Sequence, residues 1–320
     1  MLRHVIRFQD FDRKFLEDLF KHADVFREMM REKDEAKRRQ NRVELKGRLH
    51  AHMLFEIFYE PSTRTRISFA AAAKHLGMDA EGTEAARLFS SVAKGESLPD
   101  NIRVLCGYHP DVIVLRHDET GASEIAAQYS TVPIINGGDG RGQHPTQGFL
   151  DLYTIKQEFG RIDGLTVAIG GDLANGRTSR SLAYNLSKFD NVRLILVAPK
   201  RLAMGDDIKA HLLEYRVKFE ETQSLEYAMR EADVVYWTRI QKERLGWLDW
   251  LIWAIRPPCY IIGKHELNLA KRDMILMHPL PRRVEISTKV DDDPRAAYFR
   301  QAENGLYIRM ALLEWVLGKW

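Results

Sequence analysis

The sequence predicts an α/β protein whose two domains each carry a mostly parallel sheet, and three observations carry that reading. Short apolar runs alternate with longer amphipathic stretches along the whole chain, the pattern of strands linked by crossover helices. The length of 320 residues suits two domains of ordinary size. Polar and charged residues gather just after the apolar runs, where open parallel sheets bind ligands. Both halves therefore read as Rossmann-like, joined by bridging helices.

The strands predicted in the first half cover residues 53–58, 79–83, 111–115 and 131–136. Those of the second half cover 165–170, 192–197, 217–220, 233–237, 259–262 and 274–277. After the first strand, an alanine-rich helix is expected over 67–76, stopped by Gly77. The glycine-rich stretch from Asn136 to Gly142 reads as a flexible loop between the halves. A helix then starts at His144-Pro145, because proline suits the first helical position, and runs to about Phe159. The domains expected are 1–143 and 144–299, with a last helix in 300–320 returning to the first.

Composition narrows the function. Hydrophobic residues make up 45% and charged residues 29%, as in ordinary globular proteins. The formal charge of +3 is too small to argue for nucleic acid, and the basic tract 27–48 is interleaved with Glu28, Glu32, Asp34, Glu35 and Glu44. That tract reads as a solvated helix and loop. With only Cys106 and Cys259, neither a disulfide framework nor a thiolate zinc site is expected. Met1-Leu2-Arg3-His4 opens without the apolar core of a signal peptide, and no run is long enough to span a bilayer. The expected location is cytoplasmic, with no membrane partner and no nucleic acid.

The chemistry gathers after the predicted strands. Ser62-Thr63-Arg64-Thr65-Arg66 follows Glu60-Pro61 at the start of a helix, where unpaired backbone N–H groups and the positive end of the helix dipole suit a phosphate. A solvated cluster of arginines on a capped surface helix is the ordinary alternative. Arg116-His117 follows the third strand, and His144 and Gln147 stand one helical turn apart. In the second half, the loop from Gly170 through Arg177 to Thr178, the run Thr238-Arg239-Ile240-Gln241 and the run His278-Pro279-Leu280-Pro281-Arg282 occupy equivalent places. The Gly170 loop does not match G-x-G-x-x-G, which argues against a dinucleotide. Arg64 and Arg116 suit a phosphorylated ligand, and Arg177 and Arg239 with Gln241 suit a ligand with two carboxylates.

Three of these motifs, Ser62-Thr63-Arg64-Thr65-Arg66, His144-Pro145-Thr146-Gln147 and His278-Pro279-Leu280-Pro281-Arg282, resemble the signatures of transcarbamoylases, and specifically of aspartate transcarbamoylase catalytic chains. The resemblance runs from about His4 to Gly318 and includes Ser90-Ser91-Val92-Ala93-Lys94-Gly95-Glu96 and the stretch from Thr238 to Arg244. It implies that Ser62, Thr63, Arg64 and Thr65 hold the phosphate of carbamoyl phosphate. Thr65, Arg116 and His144 would polarise its carbonyl, and Gln147 with the carbonyls of Leu280 and Pro281 would bind its amino group. Arg177, Arg239 and Gln241 would grip the carboxylates of L-aspartate. Ser90 and Lys94 would arrive from a neighbouring subunit of a homotrimer, Ser90 toward carbamoyl phosphate and Lys94 also toward aspartate. The implied reaction, transfer of the carbamoyl group to L-aspartate in pyrimidine (UMP) biosynthesis, needs no cofactor and no metal. Ornithine as acceptor suits Arg177 and Arg239 poorly, and an inactive anion-binding relative is the reading from another class. A regulatory chain or a dihydroorotase partner is left open. Trp247, Trp250 and Trp253 are spaced by three and read as local packing or as a contact surface.

Overall fold

The computed structural model describes residues 2–84, 95–140, 142–239 and 260–320. They form two compact units, residues 1–153 with 303–320, and residues 154–302. The unit boundaries fall inside helices, because Pro145–Phe159 and Tyr298–Val316 each run from one unit into the other.

In the first unit, strands β1 (Met53–Phe58), β2 (Asp79–Glu84), β3 (Val112–His117) and β4 (Ile134–Asp139) form a sheet in the order β2-β1-β3-β4. All three pairings are parallel. Helices α1 (Arg13–Met30) and α2 (Glu35–Arg48) precede the sheet. α1 buries Leu16, Leu19, Phe20, Ala23 and Phe26, while α2 buries only Leu45, as its charge pattern demands. Helix α3 (Thr63–Leu76) follows β1 and buries Thr65, Phe69, Ala72, Ala73 and Leu76, an apolar stripe at helical spacing. It stops at Gly77, whose φ of 87° belongs to the left-handed region, and the Met78 N–H returns to the Ala73 carbonyl at 2.9 Å. Helices α4 (Leu98–Cys106) and α5 (Ala122–Tyr129) complete the βαβ connections described, and α6 (Pro145–Phe159) leaves β4.

The second unit carries β5 (Thr166–Gly170), β6 (Arg193–Val197), β7 (Lys218–Thr222), β8 (Val234–Trp237) and β9 (Ile275–Met277), again all parallel, in the order β7-β6-β5-β8-β9. The connecting helices are α7 (Arg177–Leu186), α8 (Asp206–Glu214), α9 (Leu225–Glu231) and α10 (Lys264–Leu269), and α11 (Tyr298–Val316) closes the chain. Ala168, Ile195, Val235, Trp237 and Leu276 from four strands share one core with α9 residues Ala228 and Met229. Strands β5, β6, β8 and β9 are apolar almost throughout, as expected of a parallel sheet covered on both faces, while the edge strand β7 is mostly polar.

Two expectations are corrected. The strand expected over 131–136 lies three residues later, and Asn136, Gly137, Gly138 and Asp139 are buried strand residues, not a flexible loop. The N-terminal segment pins them: Val5 N–H donates to the Ile134 carbonyl and Asn136 N–H to the Val5 carbonyl, both at 2.8 Å. The run 260–262 forms no strand. Ile262 makes a single bridge to Ile286, exchanging bonds with Glu285 and Ser287 at 2.9 Å, and Cys259 lies outside the described residues. The Trp247, Trp250 and Trp253 segment also lies outside them.

Candidate active site

Parallel sheets bind ligands where the strand order reverses. In the first unit the chain places β2 on one side of β1 and β3 on the other, so the reversal lies between β1 and β3. α3 begins at that point. Ser62 is its N-cap, makes no side-chain cap bond, and donates its backbone N–H to Glu84 Oε1 at 3.0 Å. The first intrahelical bond runs from Arg66 N–H to the Ser62 carbonyl at 3.1 Å. The N–H groups of Thr63, Arg64 and Thr65 precede it and have no acceptor within the helix, which leaves donors and a positive dipole end together.

Three more predicted residues join this corner. Thr65 is buried, and its Oγ1 lies 3.5 Å from Nε2 of His144, itself 4% exposed. The other ring nitrogen of His144 lies 3.3 Å from Thr146 Oγ1, so hydroxyls on both sides hold the imidazole at the entry to α6. Arg116, near the end of β3, donates to the Gly137 carbonyl at 3.0 Å and to Glu60 Oε2 at 3.1 Å. Gln147, in the first turn of α6, donates its Nε2–H to Asp151 Oδ1 at 2.8 Å. Arg64 is exposed, yet partial desolvation lowers its pKa from the usual value; it stays cationic at neutral pH. Against α3, Glu56 of β1 is only 2% exposed, and burial pushes its carboxyl up to about 7 while Arg66 pulls the other way. His117 next to Arg116 is structural: its Nδ1 accepts the Glu119 N–H at 2.9 Å and its ring packs on Tyr59.

The second unit repeats the plan. Its strand order reverses between β5 and β8, and both strands end in predicted residues. β5 leads through Gly171 and Asp172 to Gly176, the N-cap of α7, and Arg177 is the first residue of that helix. Asp172 Oδ1 accepts the Asn175 N–H at 3.0 Å, which folds the loop back on itself. β8 leads to Thr238 and Arg239, and Thr238 ties the two strand ends together by donating both N–H and hydroxyl to the Gly170 carbonyl at 2.8 and 2.9 Å. Gly171, at φ 109°, allows this approach, since a Cβ there would lie 2.2 Å from the Thr238 carbonyl oxygen. Arg177 and Arg239 are both half-buried. After β9, His278 Nδ1 accepts the Leu280 N–H at 2.8 Å, which leaves Nε2–H to donate to Glu285 at 3.0 Å. His278 therefore shapes the Leu280-Pro281 turn. Burial pushes the Glu285 carboxyl up, but the bonds from His278 and from backbone N–H groups outweigh it and hold the group below its ordinary value. Ser90, Lys94 and Gln241 lie outside the described residues.

Two family models cover nearly the whole chain. Residues 3–157 match the carbamoyl-phosphate-binding domain of aspartate/ornithine carbamoyltransferases, and residues 163–316 match the aspartate/ornithine-binding domain. The chain belongs to the aspartate/ornithine carbamoyltransferase family. A chloroplastic aspartate carbamoyltransferase of Arabidopsis thaliana is 52% identical over 319 residues, all of this chain and 79% of that protein. The catalytic subunit of the M. jannaschii aspartate transcarbamoylase superposes with a TM-score of 0.87 at 43% identity, covering 99% of this chain and 98% of the other. The Trypanosoma cruzi aspartate transcarbamoylase in complex with carbamoyl phosphate and aspartate superposes with a TM-score of 0.86 at 37% identity, covering 97% and 95%.

Within this carbamoyltransferase the structure adds residues that the motifs did not single out. Glu60 on Arg116, Glu84 on the Ser62 N–H, Asp151 on Gln147 and Glu285 on His278 each hold a predicted residue from behind. Glu60 stands two residues before the first motif, and Asp151 stands four residues after Gln147 on the same helix, so spacing alone could have found both. Nothing local marks Glu84, which reaches Ser62 only because β2 pairs with β1.

Proposed function

We propose that this chain transfers the carbamoyl group of carbamoyl phosphate to the amine of L-aspartate, giving N-carbamoyl-L-aspartate and phosphate for pyrimidine biosynthesis. The observation that carries this reading is that both sheet reversal points end in pairs of arginines, Arg64 with Arg116 and Arg177 with Arg239. In the first unit, Ser62, Thr63, Arg64 and Thr65 take the phosphate, and Thr65, Arg116 and His144 donate to the carbonyl oxygen. Gln147, with the carbonyls of Leu280 and Pro281, takes the amino group. In the second, Arg177, Arg239 and Gln241 take the two carboxylates of the acceptor.

The amine attacks the carbonyl carbon, the bond from that carbon to the phosphate oxygen breaks, and the proton lost by the amine is taken up by the departing phosphate. Negative charge grows on the carbonyl oxygen and on the leaving phosphate. Fixed donors aimed at such charge contribute about 10²–10³ in rate each, and holding both reactants in place contributes further. His144 acts as a hydrogen-bond donor, not as a nucleophile.

We further propose a homotrimer in which Ser90 and Lys94 complete the site of a neighbour, supported by the family resemblance. A cytoplasmic location belongs to the same proposal; the free thiol of Cys106 suits a reducing compartment, and cell fractionation decides between cytoplasm and the chloroplast named for the Arabidopsis relative. The test of function is product formation from carbamoyl phosphate with a panel of amines. Turnover with L-aspartate and none with ornithine is expected. Turnover with ornithine alone overturns the acceptor, and binding of carbamoyl phosphate without turnover of any amine makes the chain an inactive relative.

A further inference from the structure

Two buried ionisable residues behind Gln147 have no place in the scheme above. Asp151 is 0% exposed on α6, and Arg309 is 4% exposed on α11. The Arg309 guanidinium packs over the Phe69 ring of α3 at 5.1 Å, so it sits where α3, α6 and α11 of the first unit meet. The space for it comes from Gly305, one turn earlier, where a Cβ would lie 2.4 Å from Arg309 Nη1. Burial lowers the Arg309 pKa to about 10, and Asp151 acts in the opposite direction.

What Asp151 does is visible one turn back. Its Oδ1 accepts the Gln147 Nε2–H at 2.8 Å. A carboxyl oxygen that accepts here selects the amide rotamer that presents NH₂ and turns the amide oxygen the other way. The amino group of carbamoyl phosphate is a donor that needs an acceptor, which the outward Oε1 supplies.

We propose that Asp151 is a positioning residue that fixes the Gln147 amide so that its oxygen selects carbamoyl phosphate by the amino group. This rests on the carbamoyl phosphate reading given above. An amide at position 151 offers both a donor and an acceptor, so either Gln147 rotamer would be accepted and the site's choice between NH₂ and a methyl group would weaken. Acetyl phosphate, which carries a methyl in place of the amino group, is the matching probe.

The experiment compares the KM for carbamoyl phosphate with the inhibition constants of acetyl phosphate and inorganic phosphate. It uses wild type, Asp151→Asn, Gln147→Ala and the double variant. Asp151→Asn is expected to weaken carbamoyl phosphate about tenfold, the loss of roughly one hydrogen bond, while the two other ligands stay within about twofold. In the Gln147→Ala background the same substitution should add nothing, because the effect passes through Gln147. Asp151→Glu keeps the carboxyl but moves the acceptor by one bond, and it should lower the carbamoyl preference as well. Undiminished preference in both Asp151 variants overturns the proposal, as does equal weakening of all three ligands or an additive double variant. A wild type that neither turns over nor binds carbamoyl phosphate defeats the functional reading itself, whereas an active wild type with these variant results defeats only the role of Asp151.

Discussion

Replacing Glu56 by Gln should make the protein more stable at alkaline pH and flatten its pH profile. Glu56 lies on β1 against α3, 2% exposed, and its carboxyl is raised from 4.5 to about 7, chiefly by burial, with Arg66, the Ala70 backbone and Lys74 opposing. Its Oε1 has no hydrogen-bond partner among the described residues. Because the folded pKa exceeds the unfolded one, the native state holds this proton more tightly. The stability it contributes is complete below pH 4.5 and is lost as pH rises to about 7. At 1.36 kcal/mol per pH unit that gap amounts to about 3 kcal/mol, a ceiling that water penetration lowers. Glu56→Gln keeps the shape and cannot ionise. Urea unfolding followed at pH 5 and pH 8 is the assay: wild type should lose about 1–3 kcal/mol more than the variant between those values. Parallel pH profiles for the two proteins would refute the reasoning, since Glu56 would then ionise as readily folded as unfolded.

Arg239→Ala should raise the KM for L-aspartate about 10–100-fold, the loss of one charge-assisted bond, and leave carbamoyl phosphate affinity within about twofold; steady-state kinetics with each substrate varied reads both. His278→Ala removes the group that links the Leu280 N–H to buried Glu285, and should cost about 2–4 kcal/mol in urea unfolding, with Glu285→Gln costing less. Glu285 is held below its ordinary pKa, so its contribution is present at neutral pH and fades as pH falls through the lower folded value; acid unfolding of Glu285→Gln should start from a lower stability and show a shallower slope. Mixing inactive Arg64→Ala and Lys94→Ala chains should restore activity if sites are shared between subunits, and no recovery from folded mixed assemblies counts against sharing.

How far the sequence reached depended on the range of the forces involved. β1 and α3 were legible because a six-residue apolar run, an alanine-rich helical stripe and Gly77 each act locally. β4 was misplaced because two glycines weaken its local signal, while Val5, about 130 residues away, holds it in the sheet. The run 259–262 reads as a strand by composition, yet Ile262 bridges only to the short segment around Ile286, which no local pattern announces. The arginines of the site were readable because they follow strands. The acids that hold the site residues were less so: Glu84 acts across strand pairing, whereas Asp151 follows Gln147 by four residues on one helix, a spacing open to an i,i+4 reading.

Binding of a single bisubstrate mimic, a phosphonate joined to L-aspartate, tests most directly whether the arginines of both units serve one reaction. Titration of wild type, Arg64→Ala and Arg239→Ala with this ligand and with inorganic phosphate separates the two ends. Both variants should bind the joined mimic at least about tenfold more weakly, and only Arg64→Ala should lose phosphate. Wild-type affinity for the mimic in either variant would contradict the account.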